Sequence, residues 1–152
     1  MRNLFLNVTA HKLSKEQLEE ARKVLNADVV DIVDYKSDNE RLLESIQKIV
    51  PKLRQSPSDE QELFGIADEF LDIIKVIAFE KDRKIFVHLP VGSPAQMFYI
   101  SVMWEERLKF LGRVYPVFSH TVREVVERSL ENGTVEKVSL FRFEKYIIPF
   151  SK

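Results

Sequence analysis

Apolar and polar positions follow one another along the chain in blocks that predict alternating strands and helices. The first apolar run, residues 3–9, is short and predicts a buried strand. Ser14 and Gln17 fit a capping box, and apolar residues at helical spacing follow as far as Asn26, which predicts a helix. The β-branched run 28–33 predicts a second strand. A strand, a helix and a strand in this order form a βαβ unit, whose two strands are parallel.

The middle of the chain predicts two helices before a third strand. Apolar residues at helical spacing over 42–50 mark the first helix, which Pro51 weakens or ends. Those over 63–77 mark a second helix with one apolar stripe. The run 84–89 then predicts the third strand.

A further helix leads into the fourth strand, which we predict over residues 114–118. The helix ends at Gly112, because glycine is the residue that most often terminates a helix. Its apolar positions include Met97, Ile100 and Trp104. We interpret them as a candidate contact with a second subunit, although Trp104 also suits the core.

The C-terminal part of the chain has two interpretations. Apolar residues over 122–130 fit a helix that ends at Asn132 and Gly133, but they also fit a partial alternation of two residues. Asn-Gly between two such runs is the strongest short-range signal for a hairpin, and residues 134–146 are rich in strand formers. We therefore favour a C-terminal β-hairpin. The whole pattern predicts an α/β fold that is Rossmann-like, with a mostly parallel sheet flanked by helices.

The composition is that of an ordinary globular protein. Of the 152 residues, 45% are hydrophobic and 31% are charged, and 23 basic residues nearly balance 24 acidic ones. A chain of this length suits a single domain over residues 1–152. Because proteins that bind duplexes without specificity usually carry a basic excess, we do not expect duplex DNA as a partner. The absence of cysteine excludes a disulfide scaffold and thiolate zinc sites.

The apolar segments are too short for a membrane protein. None approaches the roughly 20 residues that span a bilayer, and the apolar start of the chain is too short for a signal peptide. We therefore expect a cytoplasmic protein without a membrane partner.

Polar side chains follow three of the predicted strands, at the edge where open parallel sheets bind ligands. They are Thr9 and His11 at the end of the first strand, Ser93 and Gln96 in the segment after the third, which also contains Gly92, and Ser119, His120, Thr121 and Arg123 after the fourth. Hydroxyls and a guanidinium just past a buried strand suit the recognition of phosphate.

Each of these positions also has a plainer interpretation. His11 could be a surface histidine rather than a positioned acid, base or phosphate donor. Ser93 could cap the helix that follows, although the same geometry leaves backbone donors for an anion. Ser119 and the polar residues after it could be ordinary residues at a strand end. His88 lies inside the third strand, and we interpret it as structural.

Several familiar sites are absent from the sequence. No tight spacing of His, Asp and Glu predicts a metal site, so we expect neither a metal nor a cofactor. No glycine-rich motif of the dinucleotide-binding or P-loop type occurs, and no G-x-S-x-G motif predicts an α/β-hydrolase.

A family resemblance rests on short segments at both ends of the chain. They are residues 4–6, His11 with residues 13–17, residues 117–123, and residues 131–135 with 141–143 and Tyr146. These segments resemble the small single-domain ring nucleases of type III CRISPR systems, which belong with the CARF-like, Rossmann-type nucleotide sensors.

The resemblance implies a homodimer that binds cyclic tetra-adenylate across its twofold axis. It implies cleavage of the ring to short linear products without a metal, which would switch off antiviral signalling. It also implies roles for individual residues: the catalytic ones are His11, Ser119, Thr121 and Arg123, and the ligand contacts are Thr9, Gly92, Ser93, Gln96 and His120. The alternatives are a sensor that binds the same ligand without cleaving it, and an unrelated Rossmann-like binding protein.

Overall fold

The computed structural model describes residues 2–55 and 57–150. Strands and helices alternate in these residues as far as the last two strands, except that two helices lie between the second and third strands. The elements are β1 Asn3–Asn7, α1 Lys15–Glu19, β2 Ala27–Asp31, α2 Glu40–Leu53, α3 Glu60–Glu80, β3 Ile85–Leu89, α4 Pro94–Arg107, β4 Val114–Ser129 and β5 Val135–Ile147.

The strands form one five-stranded sheet in the order β2-β1-β3-β4-β5. The first four strands in this order are parallel to one another, and β5 is antiparallel to β4. The α/β class is therefore confirmed. The sheet is mixed rather than mostly parallel, because the antiparallel pairing of β4 with β5 is much longer than any parallel pairing.

Alternation along the central strands divides the core between the two faces of the sheet. Leu6 and Val87 belong to the larger cluster, which α2, α3 and α4 cover. Phe5 and Phe86, the residues next to them, belong to a smaller cluster with Ala21, which follows α1. Because both faces are covered, β1 and β3 are almost wholly apolar, as strands buried on two sides are.

The first helix begins at the predicted capping box. The Ser14 side chain accepts from the Gln17 backbone N–H, and the Gln17 side chain accepts from the Ser14 backbone N–H. The helix widens into a π-helical turn over Glu20–Val24. It ends before Asn26, whose positive φ of 51° closes the segment. Within the described residues, no helix has the length and apolar character needed to cross a membrane.

The structure corrects two predictions about the helices in part. Pro51, predicted to weaken or end the first of the two central helices, does not end it, because it lies in the last turn of α2, which continues to Leu53. The proposed subunit contact on α4 is also excluded for its main members. Ile100 is 0% exposed and Trp104 is 6% exposed, because both pack in the core against the sheet.

The C-terminal hairpin is confirmed, and it is longer than predicted. β4 continues past residue 118 to Ser129, so the alternative helix over 122–130 is wrong. The pairing runs from Thr121 opposite Phe143 to Ser129 opposite Val135, and we call this part, residues 121–143, the ribbon. An irregularity between His120 and Thr121 separates the ribbon from the body of the sheet.

Candidate functional site

A pocket of about 450 Å³ opens at the carboxyl edge of the parallel strands. It lies where β1 and β3 end, beside Ser119 of β4, which is the place where open α/β sheets bind ligands. Its lining is Thr9, Ala10, His11, Leu13, Gln17, Arg54, His88, Pro90, Val91, Gly92 and Ser119. Its volume falls within the range of small-molecule sites.

Asn7, the last residue of β1, fixes the direction of a chain of hydrogen bonds below this pocket. Its Nδ2 donates to Asp31 Oδ1 at 2.9 Å and to the carbonyl of His11 at 3.2 Å. Both of those oxygens can only accept, so the amide orientation follows from its partners. Asn7 Oδ1 therefore faces the Thr9 hydroxyl and His88 Nδ1, at 2.8 and 2.9 Å.

His88 takes its tautomer from this arrangement. Because Asn7 Oδ1 accepts, His88 Nδ1 carries the proton and donates it. The neutral ring then presents an unprotonated Nε2, which lies 2.8 Å from Ser119 Oγ. Ser119 therefore donates its hydroxyl proton to His88. Ser119, His88 and Asn7 form a directed relay of the kind that nucleophilic and proton-transfer sites use.

Gln17 holds the other side of the Ser119 hydroxyl. Its Oε1 accepts from the Ser14 backbone N–H in the capping box, so its Nε2 faces Ser119 Oγ, at 3.1 Å. The carbonyl of Gln17 accepts from the Tyr146 hydroxyl at 3.0 Å. The N-terminus of α1 thus positions the serine that β4 supplies.

Burial keeps the His88 ring neutral. Its side chain is 3% exposed, and its ring packs against those of Phe5 and Tyr146 at centroid distances of 5.4 and 5.3 Å. Desolvation lowers the pKa of His88 from 6.5 to about 4. The ring therefore stays an acceptor for Ser119 at neutral pH.

Arg54 supplies the positive charge in the pocket lining. It is the C-terminal cap of α2, and its side chain is exposed. A guanidinium beside a hydroxyl-histidine pair suits a phosphate group.

Four of the predicted site residues meet in this pocket: Thr9, His11, Gly92 and Ser119. Ser93 and Gln96 do not line it. Ser93 caps α4 by accepting from the Gln96 backbone N–H. Gln96 is 0% exposed, and its Nε2 donates to the carbonyl of Leu63, so its side chain belongs to the contact between α3 and α4.

The three predicted residues that follow Ser119 also lie outside the pocket lining. His120 and Thr121 are exposed at the irregularity where the ribbon begins. Arg123 lies farther along the ribbon, and its guanidinium donates to Ser139 Oγ across the two strands. Strand geometry places Arg123 about 13 Å from Ser119, since each residue advances the chain by about 3.3 Å.

Asn7, Gln17, His88 and Arg54 are site residues that the sequence interpretation misses. It gives Gln17 a role in helix capping alone and treats His88 as structural. The usable signal is a histidine in the otherwise apolar β3 and an asparagine directly after the apolar residues of β1, since buried polar groups need partners. Arg54 has no signal, because its position depends on how α2 packs.

A larger cavity, of about 570 Å³, lies along the edge strand β2. Its charged lining mixes both signs: Lys12, Arg22, Lys36, Lys81 and Arg83 with Asp28, Asp31 and Asp34. We assign the functional site to the smaller pocket, because the oriented hydroxyl-imidazole pair lies there. Among residues 2–55 and 57–150, no group of three or more His, Asp or Glu is placed to hold a metal ion.

A comparison with protein families finds one match over nearly the whole chain. The model of the family described as "Uncharacterized protein MJ1673 family" matches residues 3–147. Neither a curated protein nor a solved structure matches the chain.

Proposed function

The chain belongs to the uncharacterized MJ1673 family, and from its site we propose that it is a metal-independent ring nuclease. It binds cyclic tetra-adenylate as a homodimer with a CARF-like, Rossmann-like arrangement of each domain. It cleaves the ring to short linear oligoadenylates, and this ends type III CRISPR signalling. The family description names no activity, so the proposal rests on the site and on the resemblance of the sequence segments.

The observation that carries the proposal is the relay from Ser119 through His88 to Asn7. A buried, neutral imidazole with one nitrogen held as a donor leaves the other as a base. Its serine lies in the lining of an open pocket at the carboxyl edge of the sheet. This combination supports proton transfer without a metal ion.

The chemistry that fits these groups uses the ring's own 2′-hydroxyl as nucleophile. The 2′-oxygen attacks the neighbouring phosphorus, the bond to the 5′-oxygen breaks, and a 2′,3′-cyclic phosphate forms. The 2′-hydroxyl proton passes to Ser119 Oγ while the Ser119 proton passes to His88 Nε2. The leaving 5′-oxygen takes a proton from His11, which lies at the same pocket.

Two features of the pocket favour an anionic substrate. The Arg54 guanidinium can pair with a phosphate, which stabilises the negative charge that grows during the attack. A phosphate anion beside Ser119 also favours the imidazolium form of His88, so it raises the pKa of His88 from its low value in the free protein. Proton transfer to His88 therefore becomes easier when the substrate is bound.

The size of the pocket suits part of a ring rather than a whole one. A volume of about 450 Å³ is at the lower end of drug-sized sites. The rest of the ring then extends beyond the opening of the pocket. The homodimer is included in the proposal because the resemblance of the sequence segments implies it.

The test is incubation of the protein with cyclic tri-, tetra- and hexa-adenylate in excess EDTA, followed by separation of the products. We expect linear products from cyclic tetra-adenylate, with cleavage unchanged by the chelator. Binding of a ring without cleavage would replace the nuclease with the sensor alternative. Activity that disappears in EDTA and returns with a divalent ion would overturn the mechanism, and no binding of any ring would overturn the proposal.

A further inference from the structure

The ribbon is a two-stranded structure that lies beyond the five-stranded part of the sheet. From residue 121 to residue 143 most of its side chains are exposed on both faces. They include large apolar ones, such as Val135 at 57% and Phe141 at 71% exposed. A hairpin of two strands is marginal in water unless further strands or a helix support it. The ribbon therefore has the properties of a surface that a partner covers.

The outer edge of the ribbon is also open. β5 is the last strand in the sheet order, and within the described residues no strand pairs with its outer side. An unpaired edge presents a row of backbone donors and acceptors, which is a template for another strand. This edge is long, because β5 has thirteen residues.

The charges on the ribbon favour a copy of the same chain as the partner. Residues 121–143 contain four acidic residues (124, 127, 131, 136) and four basic residues (123, 128, 137, 142), and Glu144 and Lys145 follow them. A balanced surface has little attraction for a polyanion or an anionic membrane. Interspersed charges of both signs can instead complement themselves across a twofold axis.

One register of β5 against β5 matches these charges. In an antiparallel pair with Ser139 at the twofold axis, Glu136 lies opposite Arg142 of the second copy, and Arg142 opposite its Glu136. The same register places Val138 opposite Leu140 and Lys137 opposite Phe141. The two members of each pair lie on the same face, because residues directly opposite one another share a face in an antiparallel pair.

The neighbouring registers either place like charges opposite each other or leave Glu136 without a basic partner. A twofold axis at Leu140 places Glu136 opposite Glu144, and an axis at Phe141 places Lys137 opposite Lys145. An axis at Val138 places Glu136 opposite Leu140. Like charges directly opposite are destabilising, so the register centred on Ser139 is favoured.

Ion pairs within the ribbon extend the match into the neighbouring strands. Arg142 pairs with Glu124 of β4 at 3.1 Å, and Glu136 pairs with Arg128 of β4 at 2.6 Å. In the register centred on Ser139, a row of alternating charge then crosses four strands. It runs from Glu124 and Arg142 of one copy to Glu136 and Arg128 of the other.

We propose that the ribbon is a dimerisation arm, whose β5 edge pairs with the β5 edge of a second copy in the register centred on Ser139. The two five-stranded sheets then become one continuous sheet of ten strands. This register places the two Ser119 residues about 46 Å apart along the strands, because Ser119 lies opposite Tyr146, seven residues from Ser139. Each pocket therefore takes a ligand of its own in this dimer. The proposed nuclease function includes a homodimer, but this surface is inferred from the ribbon alone. Its tests measure assembly and not cleavage, so either proposal can fail without the other.

The first test uses the absence of cysteine from the chain. In the Ser139→Cys variant the two thiols lie directly opposite across the axis, where Cβ atoms are about 5 Å apart. In the Phe141→Cys control they lie about 13 Å apart along the strands. A thiol crosslinker whose reach lies between these distances should join two Ser139→Cys chains and leave Phe141→Cys chains single. Equal crosslinking of both variants, or none of Ser139→Cys, overturns the register.

The second test exchanges the charges and measures mass by light scattering. In the proposed register residue 136 of each copy lies opposite residue 142 of the other. Glu136→Arg alone therefore places two guanidinium groups opposite each other at both pairs, and Arg142→Glu alone places two carboxylates opposite each other. Each variant should therefore be monomeric. A mixture of the two restores opposite-charge pairs on both sides of the axis when the chains meet as a heterodimer with one basic and one acidic edge, and we expect this heterodimer to form. Each substitution disturbs its own ribbon equally in the separate samples and in the mixture. Such a disturbance therefore cannot explain a dimer that forms only on mixing.

The control for the charge exchange is Glu44→Arg, which makes the same charge change at an exposed position of α2. This variant should dimerise as the unmodified protein does. A monomeric unmodified protein, dimers of either ribbon variant alone, or a mixture that stays monomeric would each overturn the proposal.

Discussion

Burial of one side chain, His88, controls both its protonation and its hydrogen bonds. The ring packs against Phe5 and Tyr146, and desolvation lowers its pKa to about 4. Asn7 supplies a neutral acceptor where many catalytic histidines have an aspartate. The relay is therefore held in its neutral state across the physiological pH range.

The lowered pKa predicts a pH dependence of stability. Between about pH 6.5 and about pH 4 the unfolded chain binds a proton at His88 and the native protein does not, so stability falls as the pH falls through this window. The loss is up to about 3 kcal/mol. Urea unfolding at about pH 7 and about pH 4.5 measures it, and the His88→Gln variant should lose less over this interval. Equal losses by the two proteins would contradict the buried, neutral histidine.

At this scale the sequence predicts the site only in part. His11, Ser119 and Gly92 follow strand ends, and the edge rule for parallel sheets places them together. The partners of Ser119 are harder to predict, because His88 and Gln17 reach it from residues 31 and 102 positions away along the chain. Arg123 does follow the predicted fourth strand, but the unexpected length of β4 carries it away from the pocket.

Gly92 determines how the loop after β3 packs against the end of α2. Its φ is +74°, and a Cβ atom there would lie 2.7 Å from the carbonyl oxygen of Leu53. Gly65, in α3, has an ordinary φ, and a Cβ atom there would have no neighbour within 4 Å. The two glycines therefore make a matched pair for testing the packing of this loop.

Replacement of these two glycines by alanine should have opposite effects. Gly92→Ala should lower the free energy of unfolding by about 2 kcal/mol or more, through backbone strain and the contact with Leu53. Gly65→Ala should raise it by about 0.5–1 kcal/mol, because alanine is the better helix former. Denaturant unfolding of the two variants measures both changes. A Gly92→Ala variant as stable as the unmodified protein would contradict the packing described for this loop.

The order and type of the elements can be predicted from hydrophobic periodicity, but the limits of some cannot. The capping box at Ser14 predicts the start of α1 correctly. Pro51 does not end α2, because a proline in the last turn removes one backbone hydrogen bond and the rest of the helix keeps its own. The predicted fourth strand is too short because the polar residues 119–121 resemble a strand end. Residues 114–118 and the first strand of the predicted hairpin in fact form one continuous strand, β4.

The whole molecule combines a parallel body, which holds the pocket, with an antiparallel ribbon that leaves it. Sequence patterns do not indicate how these parts share β4. The strand contributes Ser119 to the pocket and, farther along, the charges that extend the row in the proposed dimer. The strand therefore belongs both to the pocket and to the ribbon.

The central claim is that Ser119, held by His88, promotes cleavage of the phosphodiester ring without a metal. Its most direct test is the single-turnover rate of cyclic tetra-adenylate cleavage in excess EDTA, with affinity measured in parallel. The variant is Ser119→Ala, and the control is Ser101→Ala, which removes an exposed hydroxyl of α4. We expect Ser119→Ala to keep its affinity within a few-fold and to slow cleavage by roughly 10²-fold or more, while the control is unchanged. Equal rates for Ser119→Ala and the unmodified protein, or no cleavage by either, would contradict the account.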